Sequence, residues 1–387
     1  MKKMKLTYLL MTILAFSSCK KMMNVAPTVE KELVVTAFVG ANAPAFQDGV
    51  GESTAFARPN SIAIDAAGNI FVADRSNARV RKVTPAGEVS TFVGSGIGGY
   101  QDGTGIAAKI ETGNNAITID AQNNLYLADQ KNTCIRKITP AGVVSTLVGA
   151  PGRSNIDGPI NIAGVDFTDQ PDITIDASNN IYFLDRKGIR KISADGIVST
   201  IVKTGNSTVT GPIATAVIAN PLNICTDKAG NIYVSAQGFN DNSIVKVSTD
   251  GIVSIYAGAP ASGFGYNIGL AVTAQFNNTR GMSADKEGNI YVVDNNHVIV
   301  KITTDGFVRL VAGVPYKGGA VPFVPGTATK AVFSDLVDVA VAPDGTIYAS
   351  EYIASSIRKI ALVDKPTTPP TQTEIDKANW NKPTNWK

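Results

Sequence analysis

Histidine is almost missing from this sequence, and cysteine is scarce. The 387 residues include one histidine, His297, which excludes any site built on two or more imidazoles, such as a tri-histidine zinc centre. Three cysteines are too few for a disulfide scaffold. No serine or cysteine nucleophile with supporting spacing accompanies His297, so we interpret it as an ordinary loop residue.

The sequence also lacks an excess of charge of either sign. Charged residues make up 17% of the chain, with 35 basic and 32 acidic side chains. Three of the lysines, Lys2, Lys3 and Lys5, lie in a segment that we expect to be removed, and the remaining basic and acidic residues then balance. A neutral chain has no electrostatic reason to bind nucleic acid or an anionic membrane surface, so we expect no nucleic-acid partner.

The amino terminus has the pattern of a secretory leader. Three lysines precede an apolar run over residues 6–16, which is followed by Ser17, Ser18 and Cys19. Eleven apolar residues are too few for a membrane-spanning helix, which needs roughly 20. The pattern therefore predicts an exported chain.

A cysteine directly after two small residues resembles the lipobox of bacterial lipoproteins, although Phe16 stands where that family usually has leucine. The resemblance implies a signal peptide over residues 1–18, lipidation of Cys19 and a lipidated tether over residues 19–32. It also implies a lipid-anchored location in the cell envelope, which we assign to the outer membrane with the periplasmic or surface face left open. The alternative is an ordinary secretory signal with an incidental cysteine.

One pattern recurs six times from about residue 57. Each copy contains four short β-branched runs: Ile-x-Ile-Asp, Asn-Ile-Tyr-Val, Ile-Arg-Lys-Ile and Val-Ser-Thr-Phe-Val. The copies align on Asp65, Asp120, Asp176, Asp227, Asp285 and Ala342. Turn residues such as Gly68-Asn69 separate the first two runs and tolerate the positive φ of a tight hairpin. Four strands, a to d, in each of six copies predict an all-β, six-bladed β-propeller over residues 33–363.

The sixth copy ends at its strand c, residues 356–360, and no strand d follows. Residues 34–40 match the pattern of strand d in the first copy, residues 89–94. We therefore expect the amino-terminal strand to complete the last blade, which closes the ring and removes an exposed sheet edge.

The recurring wording Pro-x-x-Ile-Ala-x-Asp-x-x-Gly-Asn-Ile-Tyr-Val-Ala-Asp resembles NHL repeats. The loops at residues 46–51 and 100–105 resemble those of bacterial and teneurin-like NHL proteins. The resemblance covers residues 34–362 and implies a propeller. Propellers of this group include binding scaffolds, lactonases and lyases, so the resemblance leaves the activity open.

Strand a of a propeller lines the central channel, and the d–a and b–c loops build one face. The d–a loops are long here, so this long-loop face is our candidate ligand surface. We expect Asp172, Asn223 and Asp338, at the entrance of strand a, to surround one channel mouth. Two carboxylates and an amide are oxygen ligands suited to Ca²⁺ or Mg²⁺, and lactonases of the senescence-marker type use a set of comparable chemical type. The alternative is a set of solvated polar groups in a water-filled channel, with no cofactor.

Strand b ends in an acidic residue in five copies: Asp74, Asp129, Asp185, Asp294 and Glu351. These side chains are either a ring of cation ligands or, as we favour, caps of their own b–c loops. The Arg-Lys pairs on strand c, beginning with Arg81-Lys82, indicate salt bridges between blades rather than a basic ligand surface.

Residues 364–387 form a Pro/Thr-rich linker and a tail that carries both tryptophans of the chain, Trp380 and Trp386. These side chains either anchor a partner or fold back onto the propeller rim.

The sequence thus supports two functional hypotheses. The first is a non-catalytic envelope lipoprotein that binds a protein, peptide or carbohydrate through the long-loop face. The second is a divalent-metal-dependent hydrolase, lactonase or lyase at the channel mouth. The absence of a recognisable nucleophile favours the first, and the question of catalysis stays open.

Overall fold

A computed structural model describes residues 30–41, 43–238, 241–259, 263–316 and 322–365. Regular structure in these ranges is strand, apart from four single-turn 3₁₀ helices at Gly51–Ser53, Arg75–Asn77, Gly105–Ala107 and Ala271–Thr273. The compact unit of the chain is Glu32–Val363. Among the residues described, no helix has the length and apolar character needed to cross a membrane.

Strands a and b form the inner half of each of six sheets. Strand b is buried on both faces, because the neighbouring blades cover it, and this explains its continuous apolar run. Strand a occupies Pro59–Ile64, Ala116–Ile119, Ile173–Ile175, Pro221–Thr226, Met282–Ala284 and Leu336–Val341 in blades 1 to 6. Strand b occupies Ile70–Asp74, Leu125–Asp129, Ile181–Asp185, Ile232–Gly238, Ile290–Asp294 and Ile347–Glu351.

Strands c and d form the outer half, and strand d alternates buried and exposed side chains. Strand c occupies Arg79–Val83, Cys134–Ile138, Gly188–Ile192, Asp241–Val247, Val298–Ile302 and Ser356–Asp364. Strand d occupies Glu88–Val93, Val143–Gly149, Ile197–Gly205, Ile252–Ala257 and Phe307–Ala312 in blades 1 to 5, and Lys31–Val39 in blade 6. The predicted all-β, six-bladed propeller is confirmed.

The predicted four strands per blade is wrong by one. A two-residue strand from the loop before strand a pairs with the outer edge of strand d in the same blade. These short strands are Gly49–Val50, Gly103–Thr104, Gly158–Pro159, Gly211–Pro212, Gly269–Leu270 and Gly326–Thr327. Blade 3 gains a sixth strand, Val217–Ala219, which runs parallel to its strand d. A strand of two residues that begins with glycine carries too weak a pattern to be recognised from the sequence.

The amino-terminal strand closes the ring as predicted. It lies between strand c of blade 6 and the short strand Gly326–Thr327, where Val35 pairs with Gly326. Val35 and Val39 are fully buried. Six apolar clusters lie between successive blades, and the one between blades 6 and 1 contains Val39, Ile62 and Tyr348. The first and last segments of the propeller therefore share one core.

The a–b hairpins confirm the predicted turn chemistry. Gly68 and the equivalent residues of the other five copies all have positive φ. The Oδ1 atom of Asp65 accepts hydrogen bonds from the backbone N–H groups of Ala67 and Asn69. The aligned aspartate therefore recurs because it satisfies the turn amides.

Candidate functional site

A channel runs along the propeller axis between the six copies of strand a. Its narrow middle, a cavity of about 200 Å³, is lined by the side chains two residues after the entrance position. These are small, as expected from crowding at the axis: Ala63, Thr118, Thr174, Cys225, Ser283 and Ala340. On the long-loop face the channel opens into a second cavity of about 240 Å³, which we call the mouth pocket.

Asp172, Asn223 and Asp338 all line the mouth pocket, as the sequence predicted. They come from blades 3, 4 and 6, so sheet closure rather than chain proximity brings them together. Their position at the entrance of strand a points them toward the axis. The pocket therefore contains two carboxylates and one amide from the predicted set.

The two carboxylates also link neighbouring blades. Asp172 accepts hydrogen bonds from the backbone N–H of Ile173 in its own strand and of Ile224 in blade 4, both at 2.8 Å. Asp338 does the same with Val339 and with Ile62 of blade 1, again at 2.8 Å. Each carboxylate oxygen thus accepts one amide and keeps lone-pair capacity toward the pocket.

Burial in the narrow channel raises the pKa of both carboxyl groups, because little water reaches them to stabilise the charged form. The pKa of Asp172 rises to about 8, first through desolvation and second through repulsion from Asp338. Desolvation raises the pKa of Asp338 to about 7, against the backbone hydrogen bonds from Ile62 and Val339, which lower it. The pair is therefore partly protonated near neutral pH.

Asn223 is held differently. Its backbone N–H donates to Ser235 Oγ at 3.0 Å, and the Ser235 hydroxyl donates to Asn223 Oδ1 at 3.2 Å. The amide oxygen is thus already engaged within blade 4. As a metal-ligand set, Asp172, Asn223 and Asp338 have the right chemical type for a hard cation. Every one of their carboxylate and amide oxygens nevertheless already accepts a hydrogen bond from the protein. No cluster of three or more His, Cys, Asp or Glu side chains with metal-binding geometry occurs in the described ranges.

Sequence reasoning missed two further groups in the mouth pocket. Arg75, in the b–c loop of blade 1, donates to Tyr352 Oη at 2.5 Å, and its guanidinium lies 5.4 Å from the centre of the Tyr352 ring. Arg280 donates to Asp335 Oδ1 at 3.0 Å. All four residues line the pocket.

A signal for Arg75 and Tyr352 was present in the repeat. Both occupy the position directly after the acidic residue of strand b, or after Ala236 in blade 4, where the six copies carry Arg75, Gln130, Arg186, Gln237, Asn295 and Tyr352. A position that differs between copies of an otherwise regular repeat is free of the repeat's structural demands, and it is therefore available for function.

The acidic residues at the end of strand b do not form an open ring. All five are buried: Asp74, Asp129, Asp185, Asp294 and Glu351. Asp129, for example, accepts hydrogen bonds from Asn132 Nδ2 at 2.9 Å and from the backbone N–H of Glu111 at 3.3 Å. Desolvation raises its pKa to about 6. Asp129 thus holds its own b–c loop through Asn132, as the favoured interpretation stated, and also the loop before strand a through Glu111.

The strand c arginines bind these carboxylates within their own blade, so the predicted salt bridges between blades are wrong. Arg136 donates to Asp129 Oδ2 at 3.2 Å and to Asp102 Oδ1 at 2.7 Å. The buried arginines are Arg81, Arg136, Arg190 and Arg358. In blade 4 the acidic residue is replaced by Ala236, and the arginine position then carries Val245. In blade 5, by contrast, buried Asp294 lies without an arginine, since the arginine position carries Val300, and its oxygens accept from the backbone N–H groups of Asn277 and Asn296, both at 2.8 Å.

An aspartate in the loop before strand a also binds the strand c arginine in blades 1 to 3. Asp102 binds Arg136 and also accepts from the backbone N–H of Thr146 in strand d at 3.1 Å. Asp48 and Asp157 make the equivalent contacts in blades 1 and 3. These aspartates fasten the short fifth strand to its blade.

The opposite end of the channel opens into a wider cavity of about 650 Å³. The carboxylates there are the turn aspartates and their neighbours, whose oxygens bind turn amides, or a lysine in the case of Asp285 and Lys301 at 3.0 Å. That mouth is larger, but its carboxylates already bind the turns of the repeat. The mouth pocket on the long-loop face is therefore the better candidate site.

Comparison with known proteins agrees with this architecture. The family model described as the NHL repeat matches residues 56–83, and the one described as the teneurin NHL domain matches residues 162–361, just over half of the chain. The chain belongs to the teneurin NHL domain family. Mouse Teneurin-3 is 26% identical over 220 residues, which is 49% of this chain but 8% of that protein. This teneurin NHL chain thus spans only a small part of its curated relatives.

Solved structures share the fold of this teneurin NHL chain. A structural genomics protein of unknown function from Bacteroides thetaiotaomicron has a TM-score of 0.65 and 21% identity, covering 86% of this chain and 77% of that one. An auxiliary nutrient binding protein from the same organism has a TM-score of 0.60 and 14% identity, covering 87% and 78%. At these identities the likeness is one of fold.

Three predicted residues lie outside the described residues: Cys19, Trp380 and Trp386. The predictions for the leader, the tether and the carboxy-terminal tail of this NHL chain stay predictions.

Proposed function

We propose that this chain is a non-catalytic binding protein whose mouth pocket captures a polar group of a protein, peptide or carbohydrate. The observation that supports this proposal is that Arg75, Asp172 and Asp338 line one cavity and, in the described part of the chain, have no ion-pair partner. Buried arginines elsewhere in the fold bind carboxylates. The mouth pocket thus carries charges that the scaffold does not neutralise, as a ligand site does.

The size of the cavity limits the ligand. About 240 Å³ is slightly below the roughly 300–1,000 Å³ typical of small-molecule sites. The pocket therefore suits a small polar molecule or the end of a longer chain. The auxiliary nutrient binding protein of similar fold supports ligand binding in general terms.

A thermal-shift screen of peptide and oligosaccharide libraries on the full-length protein in detergent tests the proposal. A ligand at 100 times its Kd should stabilise the wild type by about 2.7 kcal/mol and the Arg75→Gln or Asp338→Asn variant by less. Arg186→Gln is the matched control, since Arg186 occupies the position of Arg75 in blade 3 but lies outside the pocket. A library with no member that distinguishes the wild type from both pocket variants would contradict the proposal.

A metal-dependent hydrolase, lactonase or lyase is the second candidate. It is favoured by one observation, the convergence of Asp172, Asn223 and Asp338 in the same pocket. If these residues hold Ca²⁺ or Mg²⁺, the ion should raise the melting temperature of the wild type, excess chelator should reverse the effect, and Asp338→Asn should abolish it. An unchanged melting temperature at saturating Ca²⁺ and Mg²⁺ would eliminate this candidate.

For its location we propose a lipid anchor at Cys19 that places the propeller in the cell envelope, at the outer membrane. The support is the leader pattern followed by two serines and the cysteine. A Cys19→Ser variant should lose incorporation of labelled fatty acid and leave the membrane fraction. Retention of both by the variant would contradict the anchor.

A further inference from the structure

The mouth pocket presents a cation whose position is fixed but whose charge is not neutralised. Arg75 is half-buried, and its guanidinium donates to Tyr352 Oη at 2.5 Å while lying over the Tyr352 ring. Tyr352 is itself covered by the guanidinium of Arg58 at 5.5 Å on blade 1. Within the ranges that the structure describes, no carboxylate lies within ion-pair distance of Arg75. The remaining guanidinium donors are therefore available to an anionic group in the pocket.

The same pocket presents two carboxylates without a cation. Asp172 and Asp338 each bind two backbone amides, and in the described residues no lysine or arginine pairs with either one. Gly281 makes room for Asp338, since a Cβ atom at Gly281 would lie 2.0 Å from Asp338 Oδ1. The backbone bonds fix the carboxylate positions, and their free lone pairs suit a donor with several N–H groups.

We propose that the mouth pocket binds a small zwitterion, a free amino acid or a short peptide, with its carboxylate on Arg75 and its ammonium group at Asp172 and Asp338. This proposal rests on the proposed binding function and names its ligand class. A ligand with both charges pairs every charged group that the fold leaves open in this cavity.

Other ligand classes satisfy only part of the pocket. A metal ion engages the carboxylates but leaves Arg75 unpaired, and a simple anion does the reverse. A neutral sugar displaces water from the Arg75 guanidinium and from the ionised fraction of the Asp172–Asp338 pair without supplying a counter-charge, which costs free energy at both. The other cation of the pocket, Arg280, is already paired with Asp335.

Retention of tripeptide libraries by the full-length protein, measured by ultrafiltration and mass spectrometry, tests the proposal. Three random libraries are compared: one with both ends free, one acetylated at the amino end and one amidated at the carboxyl end. The wild type should retain the free library at least about tenfold better than either blocked library. A set of free amino acids, run in parallel, shows whether the pocket takes single residues or peptides.

Two variants separate the ends of the ligand. In Arg75→Gln the preference for a free carboxyl end should disappear while the preference for a free amino end remains. Asp338→Asn should show the opposite pattern. Arg186→Gln is the control and should behave like the wild type. Because each variant keeps one preference, a general loss of folding cannot produce this pattern.

Every other pattern overturns the proposal. Equal retention of free and blocked libraries by the wild type excludes a zwitterion, and so does a preference that both variants leave unchanged. Retention of neutral oligosaccharides instead of peptides would overturn the zwitterion and leave the binding function standing. If the wild type retains no free amino acid, no peptide and no oligosaccharide, the zwitterion and the proposed binding function both fail.

Discussion

The buried arginine–aspartate pairs allow a sharp test of how this propeller is stabilised. In blade 2 both Arg136 and Asp129 are fully buried, and Arg136 Nη1 lies 3.2 Å from Asp129 Oδ2. In an Arg136→Val variant, valine reproduces the residue found in blade 4 but leaves the Asp129 charge buried without its counter-charge. Breaking a buried pair in this way costs about 3–5 kcal/mol.

A second variant isolates the contribution of the charge. Arg136→Val combined with Asp129→Asn loses the same arginine contacts but carries a neutral amide in place of the carboxylate. The double variant should therefore be more stable than the single variant by about 2 kcal/mol or more at pH 7. If the propeller unfolds as one unit of roughly 330 residues, each kcal/mol shifts its melting temperature by on the order of 1.4 °C.

The pH dependence provides the decisive measurement. Desolvation already raises the pKa of Asp129 to about 6 beside Arg136, and removal of the cation raises it further. Native Asp129 in the single variant then keeps a proton that the unfolded chain releases near pH 3.9, so the stability of this variant falls as pH rises from about 4. Denaturation followed by circular dichroism should show the two variants converging near pH 4 and separating by pH 7.

The control is Arg186→Val, which removes an exposed pair, with side chains 62% and 48% exposed, and should cost less than about 1 kcal/mol. Equal stability of the single and double variants at pH 7, or a constant difference between pH 4 and pH 7, would refute the reasoning. Either result would show that the buried charge at Asp129 does not determine the stability of blade 2.

Three further predictions follow from the same geometry. Gly281→Ala should lower the free energy of unfolding by about 1–3 kcal/mol, because the new Cβ would lie 2.5 Å from the Asp338 Cα. Gly113→Ala is the control and should lower it by less, because its Cβ first meets the end of a flexible glutamine side chain. Val35→Asp should cost about 2–4 kcal/mol because Val35 is fully buried in the closing strand, and an equal loss in the exposed Thr36→Asp control would contradict closure. The melting temperature of the wild type should fall as pH rises from about 4 toward 8, because native Asp172 and Asp338, with pKa values of about 8 and about 7, keep protons that the unfolded chain releases. The double variant Asp172→Asn/Asp338→Asn should flatten this profile, and an unchanged slope in that variant would contradict the prediction.

The local rules of the repeat were readable from the sequence alone. Turn aspartates and glycines, β-branched runs and the spacing of the copies act over a few residues, so the strands, the hairpins and the six blades followed from them. Closure was also predictable, because a missing strand d at one end and a surplus one at the other leave a single arrangement without an exposed edge. The entrance position of strand a placed Asp172, Asn223 and Asp338 at the axis by symmetry alone.

Tertiary structure decided what those positions contact. Nothing in the pattern of Arg136 shows that its guanidinium lies inside the blade, because the burial of a charge depends on the carboxylates that the folded loop and strand bring to it. The contribution of Arg75 to the mouth pocket likewise depends on a 3₁₀ turn in blade 1 and on a contact with Tyr352 of blade 6. Arg75 and Tyr352 lie far apart in the chain. A repeat sequence determines where its units recur, whereas the side chains that meet across the ring depend on how the ring closes.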